Sequence, residues 1–94
     1  MIDELLKHCK NVISLLEQNY SRQINYNGII KEVYIKFSEM IEKIQNKEIS
    51  SINIDFFSII RQFVDDTTEY NSPVIREIEE TSRILDKIKA RLNL

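Results

Sequence analysis

Histidine and cysteine each occur once, as the neighbours His8 and Cys9. A thiol beside an imidazole can make an activated nucleophile, and His and Cys are common metal ligands. Helical spacing sets adjacent residues about 100° apart, so these two do not share a face. Cys9 falls in an apolar stripe and is expected to fill core, and His8 is expected at the surface near Glu4, one turn back. A di-iron helical bundle draws on paired Glu-x-x-His motifs, which the chain lacks, and a zinc site needs more His or Cys than it has. A phosphate-binding loop needs several glycines, whereas Gly28 is the single one present. The expectation is a protein with no catalytic residues, no metal and no cofactor.

The carboxylates are more informative. Between Asp65 and Glu80 six acids stand against Arg76 alone, a local charge of -5. From Thr81 onward four bases face Asp86, a local charge of +3. Glu77, Glu79 and Glu80 open a predicted helix, where the positive end of the dipole favours them. Asp65, Asp66 and Glu69 are expected in the last turn of the preceding helix, at its negative end and with no base beside them. Each such placement costs some tenths of a kcal/mol, to which i,i+3 and i,i+4 repulsions add. Residues that break a local rule without compensation are candidates for function. Asp65, Asp66, Glu69, Tyr70, Glu77 and Glu80 are therefore the candidate partner-binding surface, with Tyr20 as a further aromatic contact. The competing reading is a solvated acidic corner. A second candidate surface is apolar, since Ile24, Ile29, Ile35, Ile49 and Ile54 fall outside the main stripes and would mark an interface if clustered.

These residues must be positioned by helices. The chain has 94 residues, one glycine and one proline, and its punctuators fall in three places: 21–28, 46–53 and 70–73. Between them the 3.6-residue period predicts helices over about 3–20, 27–46, 51–69 and 73–92. The stripes run Leu5, Leu6, Cys9, Val12, Ile13, Leu16, Tyr20; then Tyr26, Ile30, Val33, Phe37, Met40, Ile41, Ile44; then Ile52, Phe56, Ile59, Ile60, Phe63, Thr67; then Val74, Ile78, Thr81, Leu85, Ile88, Leu92, widened by Ile75 and Ile84. Ser72 before Pro73 predicts an N-cap with proline at the first helical position. Asn27 and either Ser51 or Asn53 are the candidate caps of the second and third helices. Strand-like alternation at 33–37 and 52–56 lasts only about five residues, and the helical stripe outruns it. The expected fold class is all-α, an antiparallel up-and-down four-helix bundle forming one domain over 1–94.

Charge and hydropathy remove other classes. A formal net charge of -2 lacks the basic excess of a nucleic-acid binder. No apolar run reaches the roughly 18 residues of a membrane span, and the first residues lack a signal-peptide pattern. The expected location is the cytoplasm, with no stable membrane insertion.

From Asn27 the chain reads Asn-Gly-Ile-Ile-Lys-Glu-Val-Tyr-Ile-Lys-Phe-Ser-Glu-Met-Ile-Glu-Lys, then a short polar link. A third helix ends in Asp-Asp-Thr-Thr-Glu-Tyr-Asn and a Leu/Ile-striped fourth follows. In length, helix order and the Tyr-Asn corner, residues 27–90 resemble the small bacteriocin immunity proteins, cytosolic four-helix bundles that protect a producer from its own toxin. The acidic corner is also similar to that of immunity proteins that cover a nuclease toxin's cationic active site. The resemblance implies a non-catalytic inhibitor whose partner is a basic toxin surface or a toxin–receptor complex, with Asp65, Asp66 and Glu69 facing Lys and Arg of the toxin. Such a protein can be a monomer or a homodimer. The alternative is a homo-oligomeric helical adaptor or regulatory protein that uses its apolar surface.

Overall fold

The computed structural model describes residues 1–92. It contains α1 (Ile2–Asn19), α2 (Ile29–Gln45), α3 (Phe56–Thr67) and α4 (Pro73–Leu92), with single 3-10 turns at Gln23–Asn25 and Ile49–Ser51. No strand occurs among the described residues. The first helix carries Asp3 and Glu4 in its first turn, where they complement the dipole. Ser72 caps α4 as expected: its Oγ accepts from the Val74 N–H at 3.2 Å and its carbonyl from the Ile75 N–H at 3.1 Å.

Two predicted caps are replaced. Asn27 does not cap α2; Gly28 does, at φ 157° and ψ -175°, a conformation open essentially to glycine alone. A Cβ there would meet no atom, so the requirement is backbone conformation rather than space. Neither Ser51 nor Asn53 caps α3. Asp55 does, its Oδ1 accepting from the Ser58 N–H at 3.1 Å.

The third helix is therefore shorter than the predicted 51–69. Its first stretch is a 3-10 turn followed by the non-helical run 52–55, so the alternation Ile52-Asn53-Ile54-Asp55 reflects a locally extended chain. Its C-terminus lies at Thr67, because Thr68 adopts the left-handed conformation at φ 58° while its N–H still bonds the Val64 carbonyl at 2.8 Å.

Burial follows most of the stripes, although Leu6, Ile13, Ile41 and Thr67 are only half-buried. Tyr26 (70% exposed) and Leu92 (59% exposed) leave the core, and Ile60 is only half-buried. Packing is most extensive between α1 and its neighbours α4 and α2, while α3 makes smaller contacts with α2 and α4. The contacts are those of a helical bundle, 40 × 22 × 19 Å, around one continuous core. Edge-to-face ring pairs join elements, Tyr20 with Phe63 at 5.7 Å and Phe37 with Phe56 at 6.2 Å. Ahead of α3, the Lys89 ammonium bonds the Ile52 carbonyl. The five off-stripe isoleucines do not form a surface patch: Ile29 and Ile49 are buried, Ile24 and Ile54 pack against the core, and Ile35 alone is exposed.

Candidate functional site

The acidic stretch separates into parts with different surroundings. On α4, Glu77 bonds the His8 imidazole of α1. The expectation of His8 beside Glu4 is corrected: packing of α1 on α4 brings together residues 69 positions apart, and His8 is half-buried between the helices. Glu80 pairs with Arg83 one turn on, at 2.7 Å. That hydrogen bond is the chief reason why the Glu80 carboxyl lies below its ordinary range and the Arg83 guanidinium above its own. Glu77 and Glu80 thus have partners inside the chain.

At the α3 terminus Asp65 and Asp66 are exposed, and among the described residues no Lys or Arg pairs with either. Glu69 lies past the helix rather than in its last turn, because the left-handed Thr68 turns the chain away. Its carboxylate accepts from the Tyr20 hydroxyl. Tyr20 is accordingly no surface anchor: it is 8% exposed and wedged against Phe63. Burial, then the bond to Glu69, push its hydroxyl up to about 12. Tyr70 is 73% exposed and keeps the role of a free aromatic surface.

A cleft of about 410 Å³ gathers Tyr20, Tyr26, Asp66 and Glu69 beside Gly28 and Ile29. Gly28 gives α2 no side-chain cap, and Gly28, Ile29 and Ile30 at the positive end of that helix line the cleft. The dipole of α2 offers Asp66 and Glu69 a compensation that the sequence hides. Asp65, a residue earlier and about 100° round the helix, lines no part of the cleft and has no such neighbour. Tyr26 lies outside α2 and is exposed despite its helical spacing, in keeping with the turn-forming run Asn25-Tyr26-Asn27-Gly28.

The remaining candidates for chemistry are quiet. Cys9 is fully buried, 3.4 Å from the Met40 sulfur, and burial raises its thiol to about 12, partly offset by a hydrogen bond with Thr81. Such a thiol is protonated at neutral pH and a poor nucleophile. Among the described residues no group of three or more His, Cys, Asp or Glu side chains is arranged to hold a metal. No helix among them is long and apolar enough to cross a membrane.

No curated protein and no solved structure matches the chain significantly. A family model does, over residues 1–92, nearly the whole length, and the chain therefore belongs to the family described as YeeD uncharacterised protein.

Proposed function

We propose that this chain is a non-catalytic immunity-type binding protein of the bacterial cytoplasm. It neutralises an antibacterial toxin or bacteriocin by occluding it, or a toxin–receptor complex, through the α3–α4 corner. The observation that carries the reading is the pair Asp65 and Asp66, exposed at the negative end of α3 with no ion-pair partner among the described residues. Tyr70 adds an exposed aromatic surface a few residues on. Glu77 and Glu80 have partners of their own, so the surface narrows to Asp65, Asp66, Glu69 and Tyr70. Charges of this kind steer association with a basic surface.

The bundle we propose is antiparallel and up-and-down. Three observations support it: Tyr20 at the end of α1 meets Glu69 past the end of α3; Lys89 near the end of α4 reaches Ile52 before α3; and Ile2 shares a cleft with Ile44 and Leu92.

Capture from soluble and membrane fractions of the host tests the function, with Asp65→Lys/Asp66→Lys in parallel. Glu69 is left intact so that Tyr20 keeps its acceptor. A partner caught by the wild type and lost by the double variant is the expected result. Equal capture by both removes the corner from the function.

A second reading, the homo-oligomer, has its own observation. Met1, Ile2 and Leu92 are exposed around apolar clefts of about 440 and 670 Å³ at the opposite end from the corner. Light scattering that finds a stable oligomer, dissociated by Ile2→Lys, would favour it.

A further inference from the structure

The third helix is the one whose apolar side the bundle leaves incompletely covered. Phe56, Ile59 and Phe63 are buried, whereas Phe57, Ile60 and Val64 follow at i, i+3 and i+7 along an adjacent face. Phe57 is 77% exposed, more than any other large apolar side chain described, and Ile60 and Val64 are half-buried. Three anchors at that spacing along a helix of about 18 Å match the way one amphipathic helix lies on another. Interfaces of this type place apolar and aromatic anchors centrally and charged groups at the rim.

The rim selects the occupant. Asp65 follows the stripe directly, is exposed and has no cationic partner among the described residues. Beyond it begins the stretch from Asp65 to Glu80 with its local charge of -5. A second copy of this chain laid parallel on the same face would bring a second such stretch against the first, and one laid antiparallel would set the exposed Arg61 near its own counterpart. Like charges across an interface are unfavourable. A basic partner meets no such opposition. The exposed Arg61, four residues before Asp65 and not ion-paired with it, calls for a single carboxylate in an otherwise basic flank.

We propose that the Phe57–Ile60–Val64 face of α3 is the apolar core of a docking surface for an amphipathic, Lys- or Arg-rich helix of a partner protein. It rests on the binding-protein reading above and gives that partner a shape as well as a charge. The probe is a synthetic helical peptide with leucine at i, i+3, i+4 and i+7 and lysine elsewhere, titrated into the full-length ¹⁵N-labelled chain; its twin carries glutamate for lysine. The lysine peptide should bind, shift the amides of Phe57, Ile60, Val64 and Asp65, and weaken as salt rises. The glutamate twin should not bind. Phe57→Ser should weaken binding about tenfold without loss of helicity, and Arg61→Glu should tighten it.

Equal binding of the two peptides, no binding of either, shifts confined to the Met1–Ile2–Leu92 end, or unchanged affinity in Phe57→Ser would each overturn the proposal. So would a concentration-dependent dimer seated on the same residues, which would assign the face to a second copy. If the peptide fails while Asp65→Lys/Asp66→Lys still abolishes capture, the α3 face falls and the acidic corner stands. If capture also survives the double variant, both fall.

Discussion

The third and fourth helices meet at one corner and are built on opposite terms. The fourth satisfies most local rules: Ser72 caps it, Pro73 opens it, and Lys89 and Arg91 sit in its last turn. Its first turn, however, holds Arg76 and no acid, the expected glutamates starting only at Glu77. Seven of its residues are buried, from Val74 to Ile88. The third is 12 residues long with three buried, has no base in its last turn, and closes on a left-handed threonine where glycine or asparagine is usual. A β-branched residue is strained in that conformation. Its end also carries the two carboxylates without an ion-pair partner among the described residues. The fourth helix reads as scaffold. Departures from local preference gather where the third ends, and that concentration, rather than acidity alone, singles out the corner.

The contrast breaks most visibly under buried charge. Leu85 is 2% exposed in α4, so Leu85→Asp should unfold the chain, since an unpaired carboxylate has no solvation there. Ile60→Asp on α3 should leave a folded protein with a lowered midpoint, because Ile60 already reaches solvent. Thermal unfolding followed by circular dichroism checks both. Similar damage from the two would mean that α3 is as deeply packed as α4.

Next in size is the tie between α1 and the corner. Tyr20→Phe removes the hydroxyl that Glu69 accepts from, and should cost about 1.5 kcal/mol, the low end for bonds to charged groups because Glu69 is exposed. Its pH dependence has a defined sign. The folded hydroxyl is held up to about 12 from an ordinary 10.0, so above pH 10 the unfolded chain releases this proton first. The stabilisation is therefore complete below about pH 10 and is lost as pH rises towards 12. Cys9, raised to about 12 from 9.0, contributes a loss of the same sign over a window that starts lower. Denaturant unfolding from pH 8 to 12 should show a shallower alkaline decline in Tyr20→Phe than in the wild type. An identical decline would place the sensitivity in Cys9 instead.

Much of this fold is legible in the sequence because helical stripes are local. Leu5, Cys9, Val12 and Leu16 announce α1, and the Ser72-Pro73 pair announces the start of α4 to the residue. The start of α3 is less legible for a physical reason: Ile52 and Phe56 hold helical spacing across a chain that is not helical there. Both are buried, so the core asks the same side-chain type of an extended segment as of a helix. Asp55, inside that run, is the missed signal: a capping residue three before Ser58. The candidate site was legible in its charges but not in their partners. Glu77 and His8 meet through tertiary packing, as do Glu69 and Tyr20, and no spacing rule connects residues 69 or 49 positions apart. The opposition between Asp66 and the uncapped start of α2 is equally invisible until the helices are placed.

The smallest expected effect is the sharpest for the comparison, because its sign is unusual. Most substitutions destabilise. If Asp65 is held at the negative end of α3 for binding rather than for folding, Asp65→Lys should stabilise the chain by some tenths of a kcal/mol, the exchange of an unfavourable dipole interaction for a favourable one outweighing the new i,i+4 repulsion with Arg61. Asp66→Lys should gain less, since the same exchange at the helix end is offset by loss of the α2 dipole across the cleft. Neither change should alter helicity, and added salt should shrink both differences. Denaturant midpoints of the two single variants, measured at low and high salt, separate these expectations. A loss of stability in Asp65→Lys would reveal a structural partner for that carboxylate. It would return α3 to the same footing as α4, and the corner would no longer stand out from the scaffold around it.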